Sequence, residues 1–74
     1  MRRVGAHEVV GVGRRIHQAV VEIEGQQVVN CYEFRDELPM TEWLGGTIRL
    51  VVSADGMRQA WWNGHLLVDL ENDI

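Results

Sequence analysis

A chain of 74 residues with a formal net charge of −4 is long enough for one small domain, and we expect a single β domain over residues 1–74. The single cysteine, Cys31, excludes a disulfide within the chain and favours a cytoplasmic location. The negative charge argues against a nucleic-acid or anionic-membrane partner, and no run approaches the ~20 apolar residues of a membrane span. A domain this small hides only about 60% of its unfolded surface, so a partner subunit often adds stability.

The pattern of the N-terminal half predicts strands separated by turn residues. Residues 8–15 predict one strand, in which Gly11 and Gly13 indicate a bulge or a sharp bend. Residues 19–23 and 28–34 predict a hairpin around Glu24-Gly25. The loop of this hairpin has two or three residues, and its register stays open.

The segment between the halves has a different pattern. Pro39 suits the first position of a helix, and Met40, Trp43 and Leu44 are spaced at i, i+3 and i+4. We therefore predict one short helical turn near residues 39–44, whose apolar side closes an open end of the sheet.

The C-terminal third contains the clearest signals. Asp55-Gly56 and Asn63-Gly64 each predict a two-residue type I′ hairpin loop. The two loops imply registers that agree on one apolar face, with Trp61 facing inward and its neighbour Trp62 facing the opposite way. The predicted apolar face consists of Ile48, Leu50, Val52, Met57, Trp61, Leu66, Val68 and Leu70.

These elements together predict an all-β or β-rich α+β fold. It has five to six short antiparallel strands in meander order and one helical turn. A small SH3-like or partly open barrel is the first choice. A single curved sheet that dimerises through its second face is the alternative.

No motif for catalysis, a cofactor or a metal is present in the sequence. The segment Gly11-Val-Gly13 lacks the third glycine of a dinucleotide fingerprint. His7, His17 and His65 are too scattered for the close ligand pairs that zinc sites show. We therefore expect no enzyme activity, no cofactor and no bound metal.

The second face of the predicted sheet is a candidate interaction surface. A contiguous apolar patch with a tryptophan indicates an interface, unless the sheet curls into a barrel or the N-terminal strand covers this side. The candidate interface residues are Arg49, Val51, Ala60, Trp62 and Leu67.

Three functions remain open. The first is a non-catalytic interaction module that self-associates, with a dimer favoured, or that binds another protein. The second is a small-ligand binder or simple enzyme with a site between subunits. The candidate ligand contacts are His17, Tyr32, Glu33, Glu42 and Trp62. The third is nucleic-acid binding through N-terminal arginines, which the net charge disfavours. These arginines are Arg2, Arg3, Arg14 and Arg15.

Charge is unevenly distributed along the chain. Residues 1–20 are basic and residues 21–46 are acidic. The two regions could meet head to tail between subunits, or they could be solvated surfaces.

The stretch Gly56-Met-Arg-Gln-Ala-Trp-Trp-Asn-Gly-His-Leu-Leu-Val-Asp-Leu70 resembles the strand–Trp–Asn-Gly–strand end of certain small bacterial domains of unknown function. The resemblance covers about a fifth of the chain. Those domains carry no assigned chemistry, so it implies no activity. The chain is also similar in kind to small proteins carried on mobile gene cassettes and phages.

Overall fold

The computed structural model of the protein describes residues 1–11, 13–34 and 41–70. All regular structure in these ranges is β, which confirms the all-β prediction, and one sheet contains every strand. These ranges include no helix that could span a membrane. The strands are β1 (Arg2–Gly11), β2 (Arg14–Glu24), β3 (Gln27–Glu33), β4 (Thr41–Trp43), β5 (Thr47–Val52), β6 (Arg58–Trp62) and β7 (His65–Leu66).

The sheet is centred on β1, and its order is β3-β2-β1-β5-β6-β7. One edge of β1 pairs antiparallel with β2. The other edge pairs in parallel with β4 and then, further along, with β5. The purely antiparallel meander is therefore wrong, because β4 and β5, which follow β3 in the chain, lie on the far side of β1 and run in its direction.

The N-terminal hairpin begins earlier than predicted. β1 ends at Gly11, β2 begins at Arg14, and these two residues lie opposite each other in an antiparallel pair, so the single bent strand over residues 8–15 is wrong. In the next hairpin Glu24 lies opposite Gln27, which leaves a loop of two residues. Ile23 then lies opposite Val28 and Glu22 opposite Asn30, so the register that the sequence left open shifts by one residue at Val29.

The helical turn predicted near residues 39–44 is wrong where the structure describes this segment. Residues 41–43 form β4, while residues 39 and 40 lie outside the described ranges. β4 pairs with β1 so that Trp43 lies opposite Gly5. A Cβ added at Gly5 would lie only 2.8 Å from Cε3 of Trp43, so a larger residue there would displace the indole. Pairing with β1 thus overrides the local helical spacing, and threonine and tryptophan both favour strands.

The loop between β5 and β6 has three residues instead of the predicted two. The Ser53 amide donates to the Met57 carbonyl at 2.8 Å, and the Gly56 amide donates to the Ser53 carbonyl at 2.9 Å. Gly56 has a φ of +85°, whereas Asp55 does not have a positive φ. This is a type I turn followed by a left-handed glycine, and it excludes the type I′ loop, which needs positive φ at both residues.

The extra loop residue turns β6 over relative to the prediction. Trp62 lies opposite the buried Ile48, and Trp61 lies opposite Arg49 on the other face. The prediction that Trp61 faces inward and Trp62 outward is therefore wrong, because a register slip of one residue exchanges the two faces of a strand. The second turn is confirmed, since Asn63 and Gly64 have φ values of +50° and +77°.

The core lies on one face of the curled sheet, where β3 contacts β6. The amides of Gly25 and Asp69 donate to each other's carbonyls at 3.0 and 2.7 Å and join the two ends of the sheet at one point. The sheet otherwise stays mostly open. The buried core residues are Val4, Ala6, Val9, Ala19, Val21, Ile23, Val28, Ile48, Ala60 and Leu67.

Candidate binding surface on the outer face

The face of the sheet opposite the core carries a row of side chains across four strands. Val10 of β1 lies opposite Arg49 of β5, Arg49 lies opposite Trp61 of β6, and Trp61 lies opposite Leu66 of β7. Residues directly opposite each other on paired strands share a face. Val51 follows Arg49 by two positions and lies on the same face of β5. We call these four residues and Val51 the outer patch.

The outer patch borders a shallow groove of 540 Å³. Trp61 is half-buried, and Val51 is 38% exposed. Arg49 makes no hydrogen bond or ion pair with any residue that the structure describes. The groove lining consists of Thr47, Arg49, Val51, Gln59, Trp61, Asn63 and Gly64.

The other half of the outer face is covered by the chain itself. The Trp43 indole lies edge-on to His7 at 5.0 Å and to Phe34 at 5.5 Å between ring centroids. Val20 is fully buried without belonging to the core cluster. The N-terminal strand lies beside β5 in the sheet, so it does not cover the outer patch.

The predicted interface residues divide between the two faces. Arg49 and Val51 lie on the outer patch. Ala60 and Leu67, only 1% and 5% exposed, belong to the core. Trp62 packs against the core, and its Nε1 donates to the Gly45 carbonyl at 3.0 Å. The outward placement of these three residues is therefore wrong.

Trp61 is the residue that sequence reasoning missed, and one signal near the turn could have found it. The Ser53 hydroxyl donates to the Asp55 carboxylate, which also accepts the Met57 amide at 3.3 Å. A serine two residues before Asp-Gly therefore favours the longer loop, because its hydroxyl can bond the aspartate across the turn. Counting three loop residues would have placed Trp61 outward.

The predicted ligand contacts do not form one site. His17, Tyr32 and Glu33 line a common depression at the ends of β2 and β3. Glu42 instead forms an ion pair with Arg2 on another part of the surface, with 2.7 Å between its Oε2 and Nε of Arg2. Trp62 packs against the core and does not line the depression.

Three of the four N-terminal arginines are paired within the chain. Arg2 binds Glu42, Nε of Arg3 lies 2.9 Å from Oε2 of Glu22, and Nε of Arg15 lies 3.5 Å from Oε2 of Glu8. Arg14 lies on the core side of the sheet and, with Arg15, borders the depression that contains His17. The basic and acidic regions of the sequence therefore meet inside the monomer in part, and the four arginines do not share one patch.

Glu22 is the centre of a polar network on β1, β2 and β3. Its carboxylate accepts hydrogen bonds from Tyr32 Oη at 2.9 Å, Arg3 Nε at 2.9 Å and Asn30 Nδ2 at 3.4 Å. Burial alone would raise the pKa of Glu22, but these bonds and the Arg3 charge bring it below the ordinary 4.5. Burial and the bond to Glu22 raise the pKa of Tyr32. The network links the outer faces of three strands through a charged carboxylate.

Within the described part of the chain, no group of three or more His, Cys, Asp or Glu side chains could hold a metal ion. No family model, curated protein or solved structure matches the chain. The functional inference therefore rests on the fold and its exposed surfaces.

Proposed function

We propose that the protein is a non-catalytic interaction module that self-associates as a dimer through the outer patch. The observation that supports this proposal is the row in which Arg49, which has no ion-pair partner in the described part of the chain, lies between Val10 and the half-buried Trp61. Tryptophan and arginine are the residue types most enriched at interface hot spots. Contiguous exposed apolar side chains around a tryptophan indicate a protein-interaction surface.

Size also favours self-association. A standard interface uses about 800 Å² of each partner. A sheet face can provide this on a molecule that measures 34 × 30 × 20 Å and exposes 5177 Å². Burial of apolar surface between two subunits stabilises the dimer by roughly 25 cal/mol per Å². This contribution is important for a domain with a small core.

The outer face also has the mixed charge that a two-fold interface needs. In such an interface both subunits use the same patch. A positive side chain of one subunit therefore needs a negative side chain in the same patch of the other subunit. Glu8 and Arg49 share this face, because Glu8 lies opposite Thr47, two residues before Arg49. In a two-fold dimer, Glu8 of one copy, which also lies 3.5 Å from Arg15 of its own chain, is therefore the proposed carboxylate partner of Arg49 in the other copy. The single free cysteine supports a cytoplasmic location as part of the same proposal.

Sedimentation equilibrium over a micromolar to millimolar concentration range tests the proposal. Wild-type protein is expected to dimerise, and Trp61→Ser is expected to weaken the dimer roughly 30-fold, the effect of losing a hot spot of about 2 kcal/mol. Circular dichroism of the variant checks that the monomer stays folded.

Two exposed valines provide a matched comparison. Val51 lies on the outer patch and is 38% exposed, while Val29 lies on the edge strand β3 and is 41% exposed. Val51→Ser is expected to weaken the dimer, and Val29→Ser to leave it unchanged. A strictly monomeric wild type, or a dimer that responds to Val29→Ser alone, would overturn the proposal.

A further inference from the structure

A cleft opens on the core side of the sheet, away from the Gly25–Asp69 bridge. Here the end of the β1–β2 hairpin and Cys31 of β3 face the ends of β5 and β6. The cleft has a volume of 240 Å³. It is the place where the two ends of the curled sheet stay apart.

The floor of this cleft is apolar and continuous with the core. Val9 is 1% exposed and belongs to the core cluster, and Ile16, Cys31 and Leu50 pack against that cluster. Val52, which is 55% exposed, lies at the rim. A small apolar body placed here would therefore contact carbon and sulfur atoms on several sides.

Two arginines line the cleft from opposite ends of the sheet. Arg14 of β2 lies two positions before Ile16, and Arg58 of β6 lies two positions before Ala60. Because Ile16 and Ala60 face the core, both arginines lie on the core side. Among the residues that the structure describes, neither arginine has an ion-pair partner, and none of the acidic ones lines the cleft. Burial raises the pKa of the Cys31 thiol, and the charges of the two arginines, which line the same cleft, oppose that rise.

We infer that this cleft binds a small molecule with one carboxylate on a short apolar body. Guanidinium groups bind carboxylates through charge-assisted hydrogen bonds. The apolar body would lie on Val9, Ile16 and Leu50. Pockets for drug-sized ligands measure about 300–1,000 Å³, so the smaller cleft of 240 Å³ suits a compound of the size of benzoate or hexanoate.

This site is independent of the proposed dimer. Among the described residues, Val51 alone lines both the cleft and the groove of the outer patch. Trp61→Ser therefore tests the dimer without altering the cleft, and a failure of either proposal leaves the other standing.

Calorimetric titration with benzoate at low ionic strength tests the inference, with neutral benzamide as the matched ligand. Arg14→Gln and Arg58→Gln are each expected to weaken benzoate binding at least tenfold, because a hydrogen bond to a charged group is lost. Arg49→Gln removes an unpaired arginine on the opposite face and is expected to leave binding unchanged. Benzamide is expected to bind at least tenfold more weakly than benzoate.

The thiol provides a second readout, since Cys31 is the only cysteine in the chain. Benzoate is expected to slow the reaction of wild-type protein with a disulfide reagent, and acetate, which lacks the apolar body, to have much less effect. The inference is overturned if benzoate does not bind the wild type. Equal loss in Arg49→Gln, or equal protection by acetate, would also overturn it by showing that the anion binds arginines anywhere on the surface.

Discussion

The two turns that flank β6 contain the same kind of dipeptide and close different loops. At Asn63-Gly64 both residues have positive φ, and the loop has two residues. At Asp55-Gly56 only the glycine has positive φ, and the loop includes Ala54 as well. The dipeptide thus predicts where the chain reverses, while side-chain bonds from Ser53 to Asp55 select the number of loop residues.

This difference of one residue decides which surface the protein presents. With the longer loop, Ala60 and Trp62 face the core and Trp61 faces outward. With the shorter loop, the two tryptophans would exchange places. The composition of the outer patch therefore depends on the hydrogen-bonded turn between Ser53 and Met57, which precedes β6.

The largest expected effect on stability comes from placing a charge on the core face of β6, and a charge on its outer face is the comparison. Ala60→Asp buries an unpaired carboxylate and is expected to destabilise the protein by about 3 kcal/mol or more, enough to unfold a small domain. Gln59→Asp, one residue away on the outer face, is expected to cost about 1 kcal/mol or less. Urea denaturation measures both, and a reversed order would show that β6 faces the other way.

Proline distinguishes the two loops by the sign of its effect. Ala54 occupies the second position of a type I turn, where proline is favoured, so Ala54→Pro is expected to stabilise by about 0.4–1 kcal/mol. Asn63 has a φ of +50°, which proline cannot adopt, so Asn63→Pro is expected to destabilise by more than about 1 kcal/mol. Melting temperatures of the two variants test this contrast, and a loss of stability in both would contradict the type I assignment.

Removing the extra residue tests the loop length directly. Deletion of Ala54 leaves Ser53 opposite Met57 and makes Asp55-Gly56 a two-residue loop, which this dipeptide can form. We expect a change of less than about 1 kcal/mol and unaltered tryptophan emission. If Ala54 were instead paired with Met57, the deletion would turn β6 over and expose its buried side, with a large loss of stability.

Acid is expected to affect one turn and not the other. Hydrogen bonds from Ser53 and the Met57 amide lower the pKa of Asp55 below its ordinary 3.8. A carboxyl group whose pKa is lowered in the folded state contributes stability above its unfolded pKa and loses it as pH falls through the folded value. The small stability difference between wild type and Asp55→Asn should therefore shrink below pH 3.8.

Asn63→Ala is the control for this pH experiment, because Asn63 has no titrating group. Its stability difference from wild type should stay constant over the same acid range. An Asp55 pKa at or above the ordinary value, measured by NMR titration, would contradict the hydrogen bonding described for this turn.

The segments that the sequence predicted well are those governed by local chemistry. Alternation predicted β5 with Ile48 and Leu50 facing inward, and the Asn63-Gly64 turn formed as expected. The prediction of β6 failed because the Ser53–Asp55 bond in its preceding turn was not anticipated, and the helical turn failed because a partner far apart in sequence decides the outcome. β4 forms because Trp43 pairs with β1 near Gly5, and no local pattern indicates that pairing.

By itself, the sequence determined an all-β domain and most of the places where its chain reverses, because turn residues and alternation act over a few neighbouring positions. The identity of the outward tryptophan follows from the length of one loop, because a one-residue change there reverses the side chains of the strand that follows. The tertiary structure alone decided the central position of β1 and the parallel pairs, because backbone hydrogen bonds between distant strands set these features.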